Sequence, residues 1–177
     1  GLAVIAVIAI LILATVKPYV KERLLTFMDP SRDPQGSSYQ IQKSFIAIGS
    51  GGITGRGFGQ SIQKFGSLPE PTGDSVYAVA GEEFGFIGGV VIILLFLVFG
   101  VRGFQVARMT PDLFNGLLAV GIVILIVAQS FANIAAMLGL IPLTGVPLVF
   151  VSHGGSAMAF ALLEIGLLLN ISRKTHS

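Results

Sequence analysis

Long apolar runs without charge alternate along this chain with short polar connections and one extended polar segment. The chain opens on "GLAVIAVIAILILATVKP". Further apolar runs cover 84–101, 113–141 and 145–163, and beyond Glu164 the apolar character resumes to Ile171. Uncharged runs of this length predict membrane-crossing helices, because a bilayer leaves backbone groups no water to bond. The ten-residue alternating strands of a barrel would leave a different pattern. The opening run has no initiator Met and no basic leader, and it falls short of the roughly 20 residues a span needs. It predicts a span cut at its N-terminal end, and so a piece of a larger protein. The expected fold is an all-α membrane protein, a polytopic helical bundle fragment of about four transmembrane helices, the first truncated. One membrane domain covers 1–177, with a large extracytoplasmic loop region at 17–83 and three transmembrane helices within 84–171.

Composition agrees with that pattern. The chain is 53% hydrophobic and 11% charged, whereas soluble domains carry about 25% charged residues. A net charge of +2 with no basic block gives no reason to expect a nucleic-acid partner. The absence of cysteine excludes disulfides, thiol nucleophiles and cysteine-ligated metals. Basic residues set the orientation. Arg102 and Arg108 in a short turn over 102–112, and Arg173 and Lys174 in the tail "SRKTHS", both read as cytoplasmic. Two crossings separate them, so the two assignments agree, and 17–83 lies outside. That segment carries seven Lys/Arg and seven Asp/Glu, and segments beyond about 60 residues largely escape the rule.

Within the outer segment, Pro30, Pro34 and Gly36 predict turns. "SSYQIQKSFIAIGSGG", apolar at 41, 45, 46 and 48, predicts a short amphipathic helix at the interface. Six glycines follow between 49 and 59, and then one helical turn over 61–65. The glycine run matches neither the dinucleotide nor the phosphate-loop pattern. It reads as a flexible or tightly folded loop, or as backbone approaching a lipid headgroup or pyrophosphate beside Arg56 and Lys64.

Acid is concentrated at the lip of the next span. "GSLPEPTGDSVYAVAGEEFG" holds Glu70, Asp74, Glu82 and Glu83 in twenty positions. Asp74 suits a helix N-cap, and equally a group placed to act at the membrane surface. On a helix starting at Asp74, Glu82 lies about 80° and Glu83 about 180° around from it, which gives no facing carboxylate pair of the glycosidase kind. Glu164, inside the last apolar stretch, is either a functional group or an ion-pair partner for helices outside this chain. His153 reads as a hydrogen-bonding side chain. "GLIPLTGVPLVFVSHGGSAM", with two prolines and four glycines between apolar runs, predicts a broken or re-entrant segment lining a cavity.

Several of these stretches together resemble one family. "GLIPLTGVPLVFVSHGGSA" is similar to the signature of the SEDS proteins (shape, elongation, division and sporulation), the FtsW/RodA/SpoVE group. "AIGSGGITGRGFGQSIQKFGSLPEPTGDSVYAVAGEEFGFIGG" resembles their large extracytoplasmic loop and following helix, and "RLLTFMDPSRDPQGSSYQ" the start of that loop. The likeness runs from about Lys21 to Ile171 and covers the C-terminal part of a ten-helix fold. It implies a peptidoglycan glycosyltransferase that polymerises lipid II at the outer face of the bacterial cytoplasmic membrane, with a class B penicillin-binding protein transpeptidase as partner. A divalent metal, Mg or Mn, is a possible cofactor. Alternatives are a lipid II flippase and a non-catalytic scaffold. On that resemblance Asp74 matches the essential aspartate, and Lys64, Glu70, Glu83, Ser152, Gly154, Gly155 and Ser156 match further motif positions, with Arg56 as an added cationic candidate for substrate binding. "QSIQKFGSLPEP" favours the FtsW-like branch over the RodA-like one. The chain departs from the family at Gly73 and Ser75 beside the aspartate, at Lys43, at Val149 and at His153.

Overall fold

The computed structural model describes residues 18–29, 36–66 and 68–174; the opening apolar run lies outside them. Every regular element in that range is a helix: α1 Pro18–Met28, α2 Ser37–Gly51, α3 Gln63–Gly66, α4 Val76–Met109, α5 Leu113–Met137 and α6 Gly155–Lys174. Three are long and apolar enough to cross a membrane, Val76–Met109, Leu113–Met137 and Gly155–Arg173, with mean hydropathies of 2.8, 2.3 and 1.6. Chain ends between them follow local chemistry. Asp112 caps α5 by accepting from the Asn115 N–H at 3.1 Å. At the other end Gly139 turns left-handed (φ 66°), and the N–H of Leu140 bonds back to the Ala135 carbonyl.

The three-residue link 110–112 folds α4 and α5 into an antiparallel pair. The basic turn expected over 102–112 is thus mostly helix: Arg102 and Arg108 both lie on α4. Small residues let the two helices approach. A Cβ built on Gly103 would lie 2.2 Å from a Val123 methyl. Phe96, Ile122, Ile126 and Met137 form the buried seam, extended by Ala161 of α6 and by Leu143 and Leu148 of the α5–α6 connection. Leu94, Leu95, Val98 and Leu125 face outward, as a lipid-exposed surface requires.

Two boundaries differ from the sequence reading. The run at 145–163 does not begin a helix at 145. Residues 138–154 form an irregular connection, because Gly139, Pro142, Gly145 and Pro147 interrupt the backbone ladder, and α6 starts at Gly155. The second difference is that α4 starts at Val76, not 84, and is broken at Gly85 (φ 67°, ψ −164°). Below the break, residues 86–109 span about 36 Å at 1.5 Å per residue, enough for a hydrocarbon core of about 30 Å. The nine residues above it form a stub that α2 packs against.

Candidate active site

The break in α4 frees backbone groups on both sides, and the glycine-rich loop bonds four of them. The carbonyls of Glu82 and Glu83 accept from the N–H groups of Arg56 (3.0 Å) and Gly57 (2.9 Å). The N–H groups of Phe86 and Ile87 donate to the carbonyls of Gly52 (2.9 Å) and Ile53 (3.2 Å). Such close approach leaves no room for side chains: a Cβ on Gly55 would lie 2.2 Å from the Glu83 carbonyl oxygen, and one on Gly51 2.0 Å from that of Gly81. Of the two readings open for this loop, the tightly folded one describes it. The amides of Arg56 and Gly57 are spent on the helix and are not aimed at an anion.

Glu82 ties the same region from the side. Its carboxylate, 1% exposed, accepts from Ser61 Oγ at 2.6 Å and from the N–H groups of Ile62 (3.1 Å) and Gln63 (3.2 Å). Arg56 Nε stands 3.7 Å from it, which commits that guanidinium to a structural pair. Lys64 is half-buried, with its Nζ 5.8 Å from its neighbour's ring, Phe65. Glu83 is 5% exposed, and its Oε1 has no hydrogen-bond partner. None of these side chains bonds to Asp74.

Asp74 occupies a turn stitched from three directions. Within the turn, the N–H groups of Gly73 and Ser75 donate to the Glu70 carbonyl (3.0 and 3.2 Å), with Glu70 left-handed at φ 45°. From α2, Gln40 Nε2 donates to Ser75 Oγ at 2.9 Å. From α5, the buried Asn133 amide donates to the Asp74 carbonyl at 2.8 Å and to the Val146 carbonyl at 2.7 Å. From the α5–α6 connection, Ser152 Oγ donates to the Gly73 carbonyl (2.7 Å) and accepts from the Leu148 N–H (2.8 Å), while the His153 N–H donates to the Thr72 carbonyl (2.7 Å). Ser152 therefore reaches Asp74 through the backbone it holds. Gly154, Gly155 and Ser156 start α6, where the Met158 N–H bonds to the Gly154 carbonyl, and make no bond to the turn.

Among the described residues the Asp74 carboxylate itself is left over. The N-cap of α4 is Ser75, with no side-chain cap bond, so Asp74 is not the cap that its position predicts. Burial and the charge of Glu70 push its pKa above the ordinary 3.8, while the charge of Arg23 pulls it down. Arg23, on α1, donates through Nη1 to the Leu143 carbonyl at 2.5 Å. Gly145 (φ 68°) separates the two: a Cβ there would lie 3.4 Å from both Arg23 terminal nitrogens and 3.5 Å from Asp74 Oδ2. Arg23 and Asn133 escaped the sequence reading. Asn133, the amide nearest the end of the run 113–141, had a usable signal as a polar residue in a span. Arg23, one charge among Lys21 and Glu22, had none.

Glu164 lies apart. With Gln129, Leu148 and Phe150 it lines a cavity of about 240 Å³ between α5, α6 and their connection. Among the described residues no three of His, Cys, Asp and Glu gather closely enough to hold a metal ion.

Apolar helices topped by a clamped turn that presents the Asp74 carboxylate define a membrane-embedded protein with a surface site. The chain belongs to the FtsW/RodA/SpoVE family: the family model described as "Cell cycle protein" matches residues 1–177. It is 47% identical over 156 residues to stage V sporulation protein E of Bacillus subtilis (strain 168), covering 88% of this chain and 43% of that protein. It is 41% identical over 174 residues to the probable peptidoglycan glycosyltransferase FtsW of Geobacter sp. (strain M18), covering 98% of this chain and 47% of that one. The fold matches a chain from the structure described as "Structural coordination of polymerization and crosslinking by a peptidoglycan synthase complex", with TM-score 0.74 and 29% identity, over 99% of this chain and 49% of that one. The chain thus spans a little under half the length of these relatives.

Proposed function

We propose that the whole protein is a peptidoglycan glycosyltransferase that polymerises lipid II at the outer face of the bacterial cytoplasmic membrane, with Asp74 as general base. The observation that carries this reading is the Asp74 carboxylate, which forms no hydrogen bond with the described residues while its turn is fixed from three sides. A base must be held and yet be free to take a proton. In the proposed step Asp74 removes the proton from the 4-hydroxyl of an acceptor GlcNAc. That oxygen forms a bond to C1 of the donor MurNAc with inversion, and the C1–O bond to undecaprenyl pyrophosphate breaks. The leaving pyrophosphate needs positive charge, for which the half-buried Lys64 is a candidate. The apolar helices suit the polyprenyl tail. The protein's partner in this reading is a class B penicillin-binding protein transpeptidase, and its own C-terminus is cytoplasmic.

The test is polymer formation from labelled lipid II by the full-length protein with its transpeptidase. Asp74→Asn is expected to lower the rate by roughly 10²–10⁴-fold while the protein stays folded, the usual contribution of general-base catalysis. Undiminished polymer from the variant would remove Asp74 from the mechanism.

A further inference from the structure

We propose that Arg23 is a positioning residue of this site: it clamps α1 to the α5–α6 connection and holds a fixed cation opposite the Asp74 carboxylate across Gly145. The inference rests on Asp74 being the base. It starts from geometry. Arg23 Nη1 is anchored on the Leu143 carbonyl at 2.5 Å, so its charge is not free to swing away. Gly145 keeps the gap between guanidinium and carboxylate open, since a Cβ would come within 3.4 Å of the first and 3.5 Å of the second. The connection that carries Leu143 and Gly145 is the one bonded to the Asp74 turn through Ser152 and His153, and through Asn133 at Val146. One guanidinium therefore fixes both the frame and the charge of the base.

The groups around Asp74 make Arg23's part separable. Its own turn supplies Glu70, whose charge opposes ionisation, and α1 supplies Arg23, whose charge favours it. The other elements present neutral groups: Gln40 from α2, Asn133 from α5, and Ser152 from the connection. His153 bonds to the turn only through its backbone, and its side chain is exposed. Without Arg23, burial and Glu70 act unopposed and the carboxylate holds its proton to higher pH.

Two readouts on full-length protein in lipid nanodiscs test this. The first is the pH profile of polymer formation from labelled lipid II. The second is the pH dependence of carbodiimide modification of Asp74, read by mass spectrometry, which reports the protonated carboxyl without requiring turnover. Arg23→Gln is expected to lose roughly tenfold or more of its rate near neutral pH. Its acid limb and the midpoint of Asp74 modification should both move to higher pH. Arg23→Lys, which keeps the charge, should hold that midpoint near wild type. A rate loss equal at every pH, or an unmoved modification midpoint in Arg23→Gln, overturns the proposal. Should Arg23→Gln fail to fold, a modification midpoint in Arg23→Lys well above that of wild type overturns it as well. Polymer from Asp74→Asn at the wild-type rate sinks the base and this proposal together, and a shifted midpoint would then report only the charge coupling.

Discussion

At the residue scale the site is a contest over one proton. Burial and Glu70 raise the Asp74 pKa above 3.8, and Arg23 opposes them. A raised carboxyl pKa means that the folded protein binds a proton more readily than the unfolded chain. The contribution of this one group to stability is therefore greatest below 3.8 and falls as pH climbs through the window up to the raised folded value. Asparagine carries no charge at any pH. Asp74→Asn is thus expected to melt higher than wild type near neutral pH, with the difference closing on acidification, as thermal unfolding in detergent at two pH values would measure. Loss of activity with gain of stability is the signature of a functional group kept under strain. Asp74 was legible from the sequence as a candidate because it sits where a polar loop meets a span. Its freedom from capping was not, since an aspartate before an apolar run looks the same whether it caps or not.

At the element scale, α4 and the glycine loop make one unit. The sequence predicts each separately, a span and a tight loop, because apolar runs and glycine clusters are local signals. Their union is four backbone hydrogen bonds across some thirty residues, and backbone bonds leave no trace in side-chain pattern. Gly85 concentrates the demand: it is left-handed, and a Cβ on it would lie 2.3 Å from the Gly55 N. Gly85→Ala is expected to destabilise by roughly 2–4 kcal/mol through strain and a displaced loop. Hydrogen exchange should rise together at 52–57 and 82–87. Protection lost at one segment alone would show that the two are not coupled. The α5–α6 connection was easier to foresee, because Pro142 and Pro147 each remove a donor from the helical ladder and the glycines beside them favour turns.

At the scale of the whole molecule, the Asp74 turn and the α4–α5 turn lie at opposite ends of a span-length helix. The chain lacks cysteine, so a single thiol introduced into it is unique within these 177 residues. A membrane-impermeant thiol reagent applied to intact cells is expected to label Thr72→Cys, and to reach Met109→Cys only after the membrane is opened. The reverse pattern would invert the topology drawn from Arg102, Arg108 and Arg173. Spans were readable because bilayer physics writes them into composition. The site's frame was not, because it is assembled from α1, α2, α5 and the α5–α6 connection, whose pairing only the folded chain determines.

The broken α4 has one more consequence. Beside Gly85 each of its two halves is bonded to a third segment, so the joint cannot straighten without breaking those bonds. It straightens only when the loop lets go on both sides. A peptide of α4 alone would then be a different object, an unbroken rod, and the bend that carries Asp74 belongs to the loop as much as to the helix.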